Sequence, residues 1–202
     1  MVSATHTPML KRRAVRLAWA TIAWNVVEAA VAIAAGAAAN SIALVGFGLD
    51  STVEVMSAVV IVWQFRGLAE ERERKALKLI AVSFFALALY VAVQAIIDLV
   101  GKSEPKSSPV GIGLAIASLF VMPMLARAKR RTGNAMGSVT VVADSNQTKL
   151  CAYLSAILLG GLVLNATVGW WWADPIAALA IAALALNEGR EAWRGETCDD
   201  CC

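Results

Sequence analysis

Long apolar runs separated by short charged segments dominate the pattern of residues along the chain. Each run approaches or exceeds the roughly 20 residues that a helix needs to span a bilayer. The pattern therefore predicts an all-α membrane protein with six transmembrane helices. The first run is longer than the apolar part of an export signal, so we interpret it as a permanent span. The six runs are Leu17–Ala39, Ile42–Phe65, Ala76–Val100, Val110–Ala126, Val139–Val168 and Trp170–Leu186.

The remaining segments are short and divide the chain into three parts. We predict a flexible lead-in over residues 1–10, a six-span domain over residues 11–194 and a cysteine-rich tail over residues 195–202. Neither end offers enough residues for a second folded domain. Any activity is therefore expected among the spans.

The composition supports this class and argues against several others. The chain is 59% hydrophobic and 16% charged, which is far from the balance of a soluble domain. The single histidine, His6, lies in the lead-in, and no hydrolytic or redox constellation is evident. We therefore expect a protein that is not an enzyme.

Basic residues collect before the first run, between runs two and three, and between runs four and five. The opposite side has only Lys102 and Lys106. By the positive-inside rule, both termini are expected to face the cytoplasm. We expect the membrane to be a bacterial inner (plasma) membrane. No nucleic-acid partner is needed to explain the charge, because the topology explains it. The basic residues are Lys11, Arg12, Arg13, Arg16, Arg66, Arg72, Arg74, Lys75, Lys78, Arg127, Lys129, Arg130 and Arg131.

The second and fifth runs resemble each other when one is shifted by 97 positions. Residues 41–46 then match residues 138–143 in character, Asp50 aligns with Gln147, and Glu54 aligns with Cys151. Because these two spans run in opposite directions, the match indicates an inverted pair, which is where a substrate site is expected. A match this short also arises by chance between two apolar helices.

Asp50 and Glu54 are four residues apart, so both carboxylates project from one face of their helix. Asp50 lies about 15 Å from the outer end, near the middle of a ~30 Å hydrocarbon core. Charged groups at that depth are costly and are usually functional. The alternative is a protonated pair that only supports helix packing.

Gln147 and Cys151 have the same spacing in the fifth run and bracket the same depth. Two carboxylates, an amide oxygen and a thiolate can together hold a divalent cation in tetrahedral geometry. Taken alone, the glutamine can equally cross-link helices, and the cysteine can be a small buried residue.

Several other polar residues are candidates for accessory roles. Asn25 and Glu28 can form a proton relay, an entry point for the ion or an interhelical hydrogen bond. Asp144 can line an access route for the ion. Lys149 lies on another helix face, where it can pair with a carboxylate or extend its ammonium toward the interface. Asp174 is expected to cap a helix. The tail cysteines Cys198, Cys201 and Cys202 offer soft-metal capture, or form a loose tail.

These motifs resemble those of the cation diffusion facilitator family. The resemblance rests on the segment from Ser41 to Asp50 followed by Glu54, on Ala143 to Gln147 followed by Cys151, and on the Asp174-Pro175 pair. It covers residues 12–194 and implies a homodimer that exports a divalent metal from the cytoplasm in exchange for protons. Asp50, Glu54, Gln147 and Cys151 would be its metal ligands. The family commonly has His or Asp where Gln147 and Cys151 stand, and we expect the chain to lack the family's cytoplasmic metal-binding domain.

The leading hypothesis is a metal exporter in which protons compete with the ion for the same groups. Zinc is the first expected substrate, with cadmium, iron and mercury as alternatives, because a thiolate favours softer ions. A second hypothesis is a membrane protein that binds metal or a partner without transport and regulates another process. A third is an exporter of drugs or organic cations.

Overall fold

The computed structural model describes residues 7–64 and 70–194, and every regular element in these ranges is a helix. The protein is thus an all-α membrane protein, as its apolar runs predict. Phe65, Arg66 and the tail cysteines lie outside the described residues. The helices are α1 (Thr7–Ala39), α2 (Ile42–Gln64), α3 (Glu70–Gly101), α4 (Pro109–Met136), α5 (Val139–Val168) and α6 (Ala173–Arg194).

Of the described helices, the five from α1 to α5 are long and apolar enough to cross a membrane. The sixth, α6, falls short because its last eight residues carry Glu188, Arg190 and other charged groups. The predicted start of this helix was Trp170, but it begins at Ala173. The reason is that Gly169 ends α5 in the left-handed conformation with φ 69°. Residues 170–172 then form the turn between the two helices.

Two predicted boundaries were wrong because helices continue through polar segments. The first helix begins at Thr7, inside the predicted flexible lead-in, and Pro8 is well tolerated in its first turn. Helix α4 runs on to Met136, so the basic cluster from Arg127 to Arg131 is helical instead of lying in a connection. One of these basic residues, Lys129, is 1% exposed.

Helix α2 occupies the centre of the bundle. It contacts α1, α3, α5 and α6, whereas α4 packs on α1 and α5. In its most apolar stretch 67% of the residues are buried, against 28% in α3 and in α4. Polar side chains on α2 and on the facing side of α5 are therefore held away from lipid.

Small residues let α1 and α2 approach closely. A Cβ atom on Gly36 would lie 2.8 Å from the backbone nitrogen of Val45, and one on Gly48 would lie 3.0 Å from that of Ile33. Such contacts between backbones are the usual way in which helices pack inside a membrane. The α1–α2 pair is consequently a tight hairpin.

Asp174 caps a helix, although not its own. Its carboxylate accepts a hydrogen bond from Ser41 Oγ at 2.5 Å and another from the Ala43 backbone nitrogen at 3.3 Å. These are otherwise unpaired donors at the start of α2, where a negative charge is favoured. The side chain is 1% exposed, so it joins the beginnings of α2 and α6 in a buried contact.

We expect Asp174→Ala to destabilise the bundle by about 1.5–3 kcal/mol, since a buried hydrogen bond to a charged group is lost. The measurement is the thermal unfolding of purified protein in detergent. Glu104→Ala is the control, because Glu104 is an exposed acidic residue in the α3–α4 connection. Equal unfolding temperatures for the two variants would contradict the capping role.

Candidate metal site

The two carboxylates of α2 project into the interior of the bundle. Asp50 is 7% exposed and Glu54 is 2% exposed. One turn separates them, so they share the helix face that turns toward α5 and α6. Two acidic groups are thus held close together away from water.

Helix α5 presents Gln147 and Cys151 to the same place. These two side chains, together with Asp50 and Glu54, line one cavity of about 10 Å³. Cys151 is 1% exposed, and the amide oxygen of Gln147 accepts a hydrogen bond of 2.8 Å from Ser57 Oγ. The structure thus brings together the four side chains that the spacing of the sequence singled out.

The cavity lies near the middle of the bundle. A Cβ atom on Gly111 would lie 2.6 Å from Leu44 Cδ2 and 3.2 Å from Leu162 Cδ1, so these three residues of α4, α2 and α5 share one level. Glu54 and Cys151 are each about 15 to 17 Å along their helices from that level. In a ~30 Å hydrocarbon core that begins at that level, this depth would be the midplane.

The arrangement is compact. Among the described residues, no three His, Cys, Asp or Glu side chains are close enough together to hold a metal ion as they stand. The cavity volume is about that of the smallest space that holds a water molecule. Ligand distances of ~2.0–2.3 Å therefore require the side chains to close around an ion.

Glu188 of α6 also lines this cavity, although the sequence motifs did not indicate it. It lies beyond the predicted sixth span, which ends at Leu186. A signal was present, because Glu188 continues the spacing of the buried residues Ala178, Ile181 and Ala185. A third carboxylate thus approaches the site from a third helix.

Glu28 of α1 lies next to Cys151. Its Oε2 accepts a hydrogen bond from Ser51 Oγ at 2.9 Å and lies 3.9 Å from Cys151 Sγ, while Oε1 accepts one from Trp24 Nε1 at 3.2 Å. Glu28 therefore contacts the predicted site from the side of α1. Asn25, one turn earlier, is fully buried, and neither atom of its amide has a hydrogen-bond partner in the described residues.

Asp144 does not line the cavity. Its carboxylate forms an ion pair of 2.8 Å with Lys129 Nζ of α4, and both side chains are buried. The same ammonium donates a hydrogen bond of 2.8 Å to Thr148 Oγ1, which in turn lies 2.8 Å from Glu54 Oε1. Lys129, which was predicted to lie in a connection, is thus a buried cation linked to Glu54 through the hydroxyl of Thr148.

Lys149 lies outside the site. Its side chain is exposed, and its ammonium lies 5.8 Å from the centre of the Tyr153 ring. A cation in the cavity is therefore not repelled by Lys149 at close range.

Comparisons with known proteins place this architecture in a family. Transmembrane protein 163 of Xenopus laevis is 22% identical to this chain, over 89% of this chain and 66% of its own length. An uncharacterized transporter of Synechocystis is 26% identical over 80% of this chain and 56% of its own length. A cation-efflux pump, FieF, of Shewanella oneidensis is 32% identical over 42% of this chain and 28% of its own length.

The chain therefore spans no more than about two thirds of these relatives. The model of the cation efflux transmembrane domain matches residues 78–194, more than half of the chain and the part that contains Gln147, Cys151 and Glu188. On this match, together with the all-helical bundle and its buried polar centre, the protein belongs to the cation efflux transmembrane family.

Proposed function

We propose that the protein transports a divalent metal cation across the membrane, with Asp50, Glu54, Gln147 and Cys151 as the ligands that bind it. The observation that carries this proposal is the convergence of these four side chains, from α2 and α5, on one buried cavity at mid-depth. Oxygen and sulfur donors in such a set suit a tetrahedral ion. Zinc is the first candidate, and cadmium, iron and mercury follow because the thiolate favours softer ions.

Charge bias supports an outward direction of transport. The basic cluster at the end of α4 and the basic start of α1 are expected to face the cytoplasm. Metal binding to carboxylates and a thiolate displaces protons, so an inward proton gradient can drive release of the ion outward. We therefore propose cation efflux in exchange for protons, carried out by a homodimer.

One observation favours a second function. The cavity of about 10 Å³ is too small to pass an ion without movement of the side chains around it. A membrane protein that binds metal or a partner and regulates another process needs no larger opening. Flux measurements separate the two functions, because a binder moves no more metal than empty liposomes do.

We expect Asp50→Asn to reduce zinc flux in proteoliposomes under an imposed pH gradient to the level of empty liposomes. The substitution removes one anionic ligand from the midplane at nearly constant volume. Asp98→Asn serves as the control, because Asp98 lies near the end of α3, away from the cavity. Cadmium, iron and manganese are measured in parallel to identify the substrate.

Retained flux in the Asp50→Asn protein would contradict the proposed ligand set. Absence of flux for every ion in the unmodified protein, despite measurable binding of metal, would support the regulatory function instead.

Glu188→Gln is expected to weaken metal binding or slow flux by roughly tenfold, since a charged group lining the site is typically worth a kcal/mol or more. Glu191→Gln, three residues along the same helix, lies outside the cavity lining and should leave both quantities unchanged. Isothermal titration with zinc and proteoliposome flux are the two measurements. Identical behaviour of the two variants would exclude Glu188 from the site.

The Lys129 ammonium can only donate hydrogen bonds, so Thr148 Oγ1 accepts one and its own proton can point to Glu54 Oε1. The other oxygen, Glu54 Oε2, is buried with no hydrogen-bond partner in the described residues. We infer that Lys129 positions Glu54 through Thr148 and leaves Oε2 available to the ion.

Lys129→Met leaves Asp144 buried without its cation, which should destabilise the protein by about 3–5 kcal/mol. The double variant Lys129→Met/Asp144→Asn should recover much of that loss, as measured by thermal unfolding in detergent. It should still bind zinc more weakly than the unmodified protein, because Thr148 has lost its donor. Unchanged zinc affinity in the stable double variant would contradict the positioning role.

A further inference from the structure

A second cavity opens at the surface of the bundle, between α4 and α5. Its volume is about 290 Å³, far larger than that of the metal cavity, with which it shares no lining residue. Three cations, Arg127, Arg130 and Lys149, line it and are all exposed. The remaining lining includes the apolar residues Pro123 and Ala126 beside the Tyr153 ring. We call this cavity the basic groove.

The basic groove lies in the half of the bilayer nearer the α4–α5 turn. Measured from the level that Gly111 and Leu162 share, Lys149 is about 20 Å along α5, and Arg130 is about 28 Å along α4. The hydrocarbon core is ~30 Å thick, so Arg130 reaches its boundary, and the long Lys149 side chain can extend toward it. Arg130 thus lies at the boundary of one leaflet, and the long side chains of Arg127 and Lys149 can extend toward the phosphate and glycerol groups there.

The charges in the basic groove are not neutralised by the described part of the chain. No carboxylate in that part forms an ion pair with Arg127, Arg130 or Lys149. The contact of Lys149 with the Tyr153 ring, at 5.8 Å, is weak at an exposed position. Cationic side chains that extend to the interface of a leaflet attract the anionic groups that lie there. The arrangement therefore calls for a negatively charged occupant.

We propose that the basic groove binds the headgroup of an anionic phospholipid. Arg127, Arg130 and Lys149 supply donors for its phosphate, and Pro123 and Ala126 offer apolar surface to the start of an acyl chain. Basic pockets between transmembrane helices on the cytoplasmic side are a known means of recognising such lipids. The charge bias of the chain assigns this end of α4 to the cytoplasmic side, where anionic lipids provide a negative surface. The proposal does not depend on metal transport.

The test is native mass spectrometry of purified, delipidated full-length protein in detergent. Phosphatidylglycerol or phosphatidylcholine with the same acyl chains is added, and the bound lipids are counted. The unmodified protein should retain phosphatidylglycerol preferentially. In the R127Q/R130Q/K149Q variant that affinity should fall roughly a hundredfold while phosphatidylcholine retention stays the same.

The matched control is K11Q/R12Q/R13Q, which removes three exposed cations from the start of α1. This variant should keep its preference for phosphatidylglycerol. Loss of preference in both triple variants would assign lipid binding to the general charge of that end of the bundle and overturn the proposal. Unchanged preference in the groove variant would overturn it as well.

Two further results would assign the basic groove to another occupant. Displacement of phosphatidylglycerol by an equal concentration of inorganic phosphate would identify a site for a free anion. A change in subunit number in R127Q/R130Q/K149Q, without a change in lipid count, would identify a contact between copies of the chain. If the triple variant does not fold, R130Q and K149Q are measured singly, and each should weaken phosphatidylglycerol binding severalfold.

Discussion

The burial of Asp50 and Glu54 at the middle of the bundle is the constraint on which the rest of this structure depends. A charged carboxylate at the centre of a bilayer costs at least a few kcal/mol, and two on one helix face also repel each other. The structure places polar partners beside Glu54 and beside Glu28, a third buried carboxylate next to the site. Thr148 lies against Glu54, and Ser51 bonds the neighbouring Glu28. A cation that enters the cavity would relieve the same repulsion, so the cost of burial is itself a source of affinity for an ion.

The sequence predicted the parts of this arrangement that depend on local spacing. Apolar runs identified the helices, and the i, i+4 pairs identified Asp50 with Glu54 and Gln147 with Cys151, because spacing alone decides which side chains share a helix face. The match between the second and fifth runs, with one shifted by 97 positions, predicted that these two pairs of side chains converge. The ends of helices were less predictable, since α1 and α4 continue through charged segments that hydropathy assigns to connections.

What the sequence did not reveal depends on contacts between distant helices. Lys129 reads as one more member of a basic cluster, yet it is the member that faces inward and meets Asp144. Glu188 reads as part of a polar helix end, yet α6 packs so that it reaches the cavity. Asp174 was recognised as a capping residue, but only the packed bundle shows that it caps α2. The periodicity of a helix identifies which side chains share a face, but it does not specify which neighbouring helix that face contacts.

The partners of the site residues also indicate which helices move together in a transporter of the proposed kind. Glu54 is linked to α5 by Thr148 and through it to α4 by Lys129, while Cys151 lies against Glu28 of α1. Helices α1, α2, α4 and α5 therefore share buried polar contacts around the cavity. Helices α3 and α6 pack on each other, and among their described side chains Glu188 of α6 is the charged group that lines the cavity.

Asp174 holds the start of α6 to the start of α2, so the α3–α6 pair can turn about that contact. Such a movement would shift Glu188 relative to Asp50 and Glu54 while leaving the polar contacts of Lys129, Thr148 and Glu28 intact. Movement within the group of four would instead expose buried groups such as Lys129 and Asp144, at a cost of several kcal/mol. The boundary between these two groups of helices is thus where an opening costs least, at the Glu188 end of α6 and away from the Asp174 contact.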